Sequence, residues 1–388
     1  MCGERMRGNT LGVPTLLGTF YFFYFSIVGV YIIFMPKVLA MSGYSASEIG
    51  IIFAVAPLVR FLLPFAFTRG LKLNVKSFNV ALLIMVLSSV AFYFSLDSFY
   101  KLLASNIALG IGLSLTLPYI ELIALHTIGK ERYGKIRLFG SVGFVLVALV
   151  LVKFLHEPIV ALEFLVVLTF LTALIAFKIA RKTNKTEQIT EHVQNDLNIL
   201  GDWKLWLGLT LMQVSFGAYY NFFTIYETDH SVSLDMTIYL WSFGVLAEIF
   251  MLYFQGKLLR GNLLFILQIT TFVTAFRWLL LFLFPQNLLM LFFSQTLHAL
   301  SFALFHSAAI SYLFHLYKHK SLAQQFFSGI TYGLGGFSGA LLAGYIYEFY
   351  PKYLFFSSAI LALLACGFLY LWSKKLPQSN SYAHQSQE

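Results

Sequence analysis

Twelve long apolar runs follow one another along this 388-residue chain, and they constrain its fold more than any other feature. Most runs hold about 20 or more residues, the length that an α-helix needs to cross a hydrocarbon layer about 30 Å thick. Charged residues or groups of Pro, Gly and Asn separate the runs. They lie near residues 13–40, 46–68, 77–96, 100–127, 134–154, 159–180, 203–227, 236–256, 262–284, 287–316, 323–348 and 352–373.

The composition indicates that these runs lie in a membrane. Hydrophobic residues make up 59% of the chain and charged residues 11%, against about 25% charged residues in soluble domains. The runs are continuously apolar, whereas the strands of a membrane barrel alternate over about ten residues. We therefore predict an all-α integral membrane protein with twelve transmembrane helices in contact with lipid.

The lysines and arginines predict the orientation of these helices. If both termini are cytoplasmic, nineteen of them fall in cytoplasmic segments, and four, Lys37, Lys101, Lys153 and Lys352, fall outside. Cytoplasmic loops of membrane proteins carry such an excess of basic residues. The net charge of +9 therefore indicates contact with acidic lipid head groups and not with nucleic acid. The first run lacks a cleavage site and is predicted to be retained.

One hydrophilic stretch, residues 181–202, divides the runs into two sets of six. Duplicated halves around a site near the middle of the membrane are the architecture of many secondary transporters. We predict an N-terminal six-helix bundle over residues 1–180 and a C-terminal six-helix bundle over residues 203–373. Residues 181–202 are predicted to form a cytoplasmic central loop, and residues 374–388 a cytoplasmic tail.

A few ionisable residues lie inside the apolar runs, where each costs at least about 2.5–3.5 kcal/mol and usually faces the bundle interior. Water is expected to reach those near the ends of the runs, which are Glu48, Glu163, Glu227, Glu348, His126 and His315. Deeper in the runs lie Arg60, Glu121, Arg137, Glu248, Arg277, His298 and His306. The surplus of arginine in this set leaves room for an anionic substrate, or for a glutamate that gives up its proton.

Glu121 and Arg137 are predicted to lie at similar depth in two neighbouring antiparallel helices. Glu121 lies about 9 Å from the cytoplasmic end of the fourth run, and Arg137 about 5 Å into the fifth. Pairing, either directly or through a bound ligand, spares each charge the cost of lone burial. A guanidinium group also binds hydroxyls or a carboxylate through two hydrogen bonds. A purely structural ion pair remains the alternative.

The stretch YGKIRLFGSVGF, residues 133–144, after a run that carries a glutamate, resembles the lactose permease branch of the major facilitator superfamily. In that branch a glutamate of helix 4 and an arginine of helix 5 bind the sugar, and an aromatic residue behind them stacks on it. The resemblance implies that Glu121, Arg137 and Phe144 bind substrate. Phe144 stands where the family has a tryptophan.

The second half of the chain is similar to one subgroup, the phenylpropionate permeases, which are proton-linked carriers. The resemblance rests on GYSASEIG (43–50), GAYYNFF (217–223), LWSFGVLAE (240–248), Arg277-Trp278 and QTLHALSFALFHSAA (295–309). It covers nearly the whole chain. It implies the major facilitator fold, transport coupled to protons, and a location in the inner membrane of a bacterium.

The resemblance to the sugar carrier also implies candidates for proton coupling. Arg277 and His298 match an arginine of helix 9 and a histidine of helix 10, whereas Ser301 replaces the carboxylate of helix 10. The carboxylate of helix 8 is displaced to Glu248, about one turn along. We predict that Glu248 carries the proton as its distance from Arg277 changes. The alternative is a permanent structural pair of Glu248 with Arg277.

Two histidines and several aromatic residues complete the candidate site. His298 and His306 are eight residues apart, about 80° around one helix, so one face can carry both. Each is predicted to be either a satisfied interior histidine or a contact of protons or ligand. Tyr24, Tyr220 and Trp241 are candidates to line a cavity for an aromatic ring, with core packing as the alternative. Arg60 is expected either to pair with an acidic group or to attract an anionic substrate.

These observations predict a monomeric carrier that moves a small organic solute together with protons by alternating access. An aromatic carboxylate such as phenylpropionate is the leading substrate, and a sugar or nucleoside is the second. The sequence contains no nucleotide-binding loop, zinc spacing or nucleophile motif, so we expect no metal, no cofactor and no enzymatic activity. A membrane sensor built on the carrier fold is a further alternative.

Overall fold

The structure is a computed structural model and describes residues 12–69, 73–155, 157–183 and 198–375. Within these residues twelve helices, α1 to α12, run antiparallel in chain order, which confirms the predicted fold class. They span Gly12–Met41, Ala46–Thr68, Val75–Tyr93, Phe99–Gly129, Arg132–Phe154, Pro158–Lys182, 203–229, Leu234–Phe254, Leu263–Leu283, Leu288–Leu316, 320–349 and Leu354–Ser373. We call the end that carries residues 12 and 375 the terminal end, and the opposite end the distal end.

Four of the helices are irregular near their middle. Segments with π-helical turns interrupt α1 at Val30–Phe34, α10 at Ala299–Leu304 and α11 at Phe327–Leu334. The helix α7 is broken into Trp203–Ser215 and Gly217–Asp229, which are 13 residues each. A Cβ atom at Gly217 would lie 2.2 Å from the carbonyl oxygen of Gly339, so only glycine allows this approach. Such irregular turns are frequent at functional sites.

The helices pack mainly within two groups, α1 to α6 and α7 to α12. In the first group α1 packs on α4, α5 and α6, and in the second α12 packs on α7 and α9. The groups meet mainly where α2 lies along α11, where α5 lies beside α8 and where α1 lies beside α7. The predicted domain boundaries remain a prediction. Residues 184–197 of the central loop and 376–388 of the tail lie outside the described residues.

Polar contacts join the two groups at the distal end. Lys37 donates a hydrogen bond to Thr228 at 2.8 Å and lies 3.8 Å from the carboxylate of Asp229. Lys153 forms an ion pair with Asp235 at 3.0 Å. The backbone N–H of Ser47 donates to Glu348 at 2.7 Å. The structure is therefore closed at its distal end.

Close packing of glycines brings α2 and α11 together near the same end. A Cβ atom at Gly50 would lie 2.7 Å from the carbonyl oxygen of Ala340 and 2.9 Å from the Cα of Gly344. The small residues thus let the two backbones touch, as in other membrane helix pairs.

We expect Gly50→Val to open the distal end, because overpacking of this kind costs about 1–3 kcal/mol. A penalty of 1.4 kcal/mol would lower the ratio of closed to open protein about tenfold. The measurement is the distance between spin labels at Met41 and Gln286, which lie at the distal end of the two helix groups. Gly367→Val is the matched control, since no atom of the described residues lies within 4 Å of its added Cβ. An unchanged distance in Gly50→Val would contradict the expectation.

Candidate functional site

Glu121 of α4 and Arg137 of α5 form the ion pair that the sequence predicts. The two helices are joined at Gly129, whose φ of 74° reverses the chain so that they run antiparallel. The Nε of Arg137 lies 3.8 Å from Oε1 of Glu121, and the same oxygen accepts a hydrogen bond from Tyr133 at 3.0 Å. The side chains of Arg137 and Glu121 are 31% and 33% exposed. The pair is therefore loose and open to a ligand.

Aromatic rings of α1 support the Arg137 side chain. Its guanidinium carbon lies 3.8 Å from the ring centre of Phe25 and 5.3 Å from that of Tyr21. A cation placed over an aromatic face gains about 0.5–2 kcal/mol, depending on desolvation. Phe25 therefore helps to hold the charge in place while leaving its N–H groups free for other partners.

Arg60 of α2 faces the interior between the two helix groups. It lies seven residues from Phe53, hence within about 20° on the same helix face, and Phe53 packs on Tyr31 of α1 with ring centres 4.9 Å apart. The charge of Arg60 acts on the hydroxyls of Tyr24, Tyr31 and, across the interface, Tyr332 of α11. Its side chain is exposed, and no acidic partner lies beside it among the described residues.

In the second helix group, Arg277 of α9 is fully buried. It donates hydrogen bonds to Gln295 at 3.0 Å and to Ser301 at 3.2 Å, and its Nη1 lies 3.0 Å from Nδ1 of His298. Its guanidinium also lies 4.3 Å from the ring centre of Tyr219. These partners are neutral groups, and the Nε of Arg277 has no hydrogen-bond partner in the described residues. This buried cation is therefore hydrogen-bonded but not neutralised.

His298 lies between Arg277 and Glu248. Arginine only donates hydrogen bonds, so Nδ1 of His298 accepts and the ring proton resides on Nε2. That Nε2 lies 3.7 Å from Oε2 of Glu248, just beyond hydrogen-bond distance. The alternative of a direct Glu248–Arg277 pair is therefore not the arrangement in this structure. The three residues instead form a row in which the histidine is the bridge.

His306 lies on the same face of α10 as His298, as the spacing predicts. The rings of His298 and Phe302 stack with centres 5.3 Å apart, and those of Phe302 and His306 follow at 6.4 Å. Unlike His298, His306 is exposed, and its Nδ1 lies 2.6 Å from the hydroxyl of Tyr332. The π-helical turns at Ala299–Leu304 lie between the two histidines.

The predicted aromatic residues differ in their surroundings. Tyr24 and Trp241 are buried, and their polar atoms bond to the carbonyl of Leu113 at 3.1 Å and to Thr224 at 3.1 Å. Tyr220 is partly exposed and stacks on Phe216. Phe144 packs against the backbone of α1 at Gly29. Of the four, Tyr220 is thus the best placed to meet a ligand, and the roles of all four remain predictions.

Electrostatic interactions link the two halves of the site. The charge of Arg137 acts on Glu248 of α8 and on His306 of α10, both in the other helix group. We call the space between these residues the central cleft, with Arg60, Glu121, Arg137, Glu248, His306 and Tyr332 as its polar residues. All six are at least partly exposed although they lie within the helices, so the cleft admits polar groups.

From the sequence, one buried polar residue, Gln295, was missed, and another, Glu227, was placed in contact with water. Gln295 accepts hydrogen bonds from both Arg277 and Tyr219, and only its polarity within an apolar run could have indicated it. The expectation that water reaches Glu227 is wrong, because its side chain is completely buried. Neither of its carboxylate oxygens has a hydrogen-bond partner within the described part of the chain. The position near a helix end concealed this burial.

Comparison with known proteins identifies the family. The profile of the MFS_1 like family matches residues 15–357. The chain belongs to this family of major facilitator transporters. As a member of the MFS_1 like family with eleven helices among the described residues that are long and apolar enough to cross a membrane, it is a multi-pass membrane protein and a membrane transporter.

Two relatives match almost the whole chain of this MFS_1 like protein. A probable 3-phenylpropionic acid transporter of Escherichia coli (strain K12) is 26% identical, and the alignment covers 92% of this chain and 96% of the relative. The uncharacterized transporter YwbF of Bacillus subtilis (strain 168) is 24% identical, with 94% of each chain covered. The resemblance to phenylpropionate permeases is thereby confirmed.

Solved transporters share the fold of the MFS_1 like chain. The nucleoside transporter NupG superposes with a TM-score of 0.76 over 93% of this chain and 99% of its own, at 14% identity. An auto inhibited POT family peptide transporter gives a TM-score of 0.73 over 96% of this chain and 98% of its own, at 12% identity. At such low identity these similarities concern the fold alone.

Proposed function

We propose that this protein is a proton-coupled symporter of a small aromatic carboxylate such as 3-phenylpropionate, working by alternating access. The excess of basic residues favours a cytoplasmic terminal end with both chain termini inside. The structure closed at its distal end then corresponds to a carrier that is shut toward the outside. The relationship to the Escherichia coli protein supports a bacterial inner membrane and this class of substrate.

The observation that carries the proposal is the positive charge of the central cleft beside aromatic surfaces. Arg60 has no acidic partner among the described residues, and Arg137 has only a long contact with Glu121. An anion in the cleft therefore supplies the charge that the protein lacks, through strong charge-assisted hydrogen bonds. The rings of Phe25 and Tyr220 offer apolar area for the rest of the molecule.

Glu248, with His298 and Arg277 behind it, is proposed to couple protons to transport. The positive charge of Arg137 acts on the Glu248 carboxyl group across the cleft. An anionic substrate in the cleft offsets this charge and so favours a proton on Glu248. By thermodynamic linkage, a proton on Glu248 then favours binding of the anion to the same extent. Substrate and proton thus enter the cleft together without needing to touch.

A ligand screen tests the proposed substrate. We expect 3-phenylpropionate at about 100 times its dissociation constant to stabilise the purified protein by about 2.7 kcal/mol, which raises the melting temperature by a few degrees. Sugars and nucleosides at the same concentration are expected to leave it unchanged. In proteoliposomes, an inward proton gradient should drive accumulation of the labelled acid. If only a sugar or a nucleoside stabilises the protein, that compound and not the aromatic acid is its substrate.

A sugar or nucleoside is the second candidate, because Glu121 and Tyr133 can bind hydroxyl groups beside Arg137. If the rate of uptake does not depend on the proton gradient, the protein works by facilitated diffusion or couples transport to another ion. The same screen therefore separates the substrate from the coupling.

A further inference from the structure

Glu227 is a buried carboxyl group that the proposed transport site does not use. It lies in the distal half of α7, and its side chain is 0% exposed. Among the residues that the structure describes, neither Oε1 nor Oε2 has a hydrogen-bond partner. An ionised carboxylate in such a place is uncompensated, and its cost far exceeds that of a neutral carboxylic acid.

The polar groups around Glu227 are already engaged elsewhere. The charge of Glu227 acts on the hydroxyls of Tyr219, Tyr226 and Tyr347. These hydroxyls donate, respectively, to Gln295 at 3.0 Å, to the carbonyl of Leu281 at 3.3 Å, and to Asp229 at 2.7 Å. None of them therefore offers its proton to Glu227 in this conformation.

Several other charged residues of the distal end are also paired away from Glu227. Lys37 contacts Thr228 and Asp229, the two residues that follow Glu227. On the neighbouring helices, Lys153 pairs with Asp235, and Glu348 accepts from the backbone of Ser47. Nδ1 of His230 lies 2.8 Å from the backbone carbonyl oxygen of Tyr226. No described lysine, arginine or histidine, the exposed Lys352 included, lies within 4.0 Å of the Glu227 carboxylate.

We infer that Glu227 is a second proton-binding site, which holds its proton while the distal end is closed and can release it only when that end opens. The inference rests on the alternating-access part of the proposed function. The residues next to Glu227 carry the Lys37 contacts that join the two helix groups. When the groups separate there, α7 loses this cover and water reaches the carboxyl.

The direction of the effect follows from linkage. The closed state binds the proton more tightly than the open state, so acid at the distal side favours closure and alkali favours opening. Glu227 then acts as a latch for the distal end, separate from Glu248. Because the carboxyl is covered in the structure with a closed distal end, its proton is exchanged with the distal side and not with the terminal side.

Spin labels at Met41 and Gln286, in a background with Cys2→Ser and Cys366→Ser, report the opening of the distal end in reconstituted protein. We expect the open fraction of the parent protein to rise about tenfold between pH 5.5 and pH 8.5, the change that corresponds to one unit of difference in proton affinity. In Glu227→Gln, which stays neutral, the open fraction should change less than about twofold. Glu227→Asp should restore the pH response.

Glu163→Gln is the matched control, because Glu163 is an exposed carboxylate in the distal half of α6. This variant should keep the full pH response of the parent protein. If Glu227→Gln does not fold, Glu227→Met offers an apolar side chain of similar length, and its open fraction should likewise change less than about twofold with pH. An equal pH response in the parent and in Glu227→Gln would overturn the inference, as would a parent protein that stays closed up to pH 9. The measurement needs no substrate, so its failure is distinct from a failure of the proposed substrate.

Discussion

Arg137→Ala is expected to weaken the binding of 3-phenylpropionate by about 100-fold. Hydrogen bonds to a charged group contribute about 1.5–3 kcal/mol, and the upper part of that range corresponds to such a loss. The partly exposed guanidinium over Phe25 is placed to form these bonds within the cleft. Isothermal titration calorimetry with the purified protein measures the dissociation constant of 3-phenylpropionate directly.

Arg181→Ala is the matched control for this variant. Arg181 also lies over an aromatic ring, 5.5 Å from the centre of Phe177, but it stands near the end of α6 outside the cleft. Its removal should leave binding within about twofold, as for most surface substitutions. Unchanged binding in Arg137→Ala, with the folded protein intact, would return Arg137 to a structural role.

The companion variant Glu121→Gln separates the two classes of substrate. If the substrate is a carboxylate, it competes with Glu121 for the guanidinium of Arg137, so the neutral glutamine should maintain or strengthen binding. If the substrate is a sugar, Glu121 accepts hydrogen bonds from its hydroxyls, and the same change should weaken binding by at least about tenfold. The opposite signs make this variant decisive for the substrate class.

The number of helices and the location of the charges follow from the sequence, because both depend only on the order of residues along the chain. A helix that crosses a membrane needs a fixed length of apolar residues, and eleven of the twelve runs form described helices that meet it, whereas the seventh is broken at Phe216. A charge within such a run must find a partner, and Glu121 and Arg137 lie close enough along the chain for their pairing to be predicted. The long contact distance of 3.8 Å belongs to the three-dimensional packing.

Other features depend on contacts between distant segments and could not be predicted in the same way. The position of His298 between Arg277 and Glu248 depends on how α8, α9 and α10 pack together and on the π-helical turns of α10. The burial of Glu227 depends on helices that meet around the end of α7, whereas its position in the sequence suggests contact with water. Sequence spacing describes one helix at a time, and these arrangements involve three.

Glu248→Gln is expected to abolish accumulation of the substrate against its gradient while exchange across the membrane continues. The Glu248 carboxyl group lies 3.7 Å from Nε2 of His298 and is the acidic group in the row formed by Arg277, His298 and Glu248. Glutamine keeps the shape and some of the hydrogen bonds of the neutral acid but cannot release a proton, so the loaded carrier can still turn over. In proteoliposomes with an inward proton gradient, the accumulation ratio should fall from about tenfold per unit of pH to about one.

Glu163→Gln again provides the control, since it removes a carboxylate that lies outside the cleft and should leave accumulation intact. His298→Gln gives a second comparison, because it keeps a polar group beside Arg277 while removing the imidazole between Arg277 and Glu248. If the histidine only positions the carboxyl, accumulation should survive at a lower rate, whereas if it passes the proton, coupling should be lost as in Glu248→Gln. Normal uphill uptake by Glu248→Gln would remove Glu248 from the proton path and direct attention to Glu121, the other carboxyl of the central cleft.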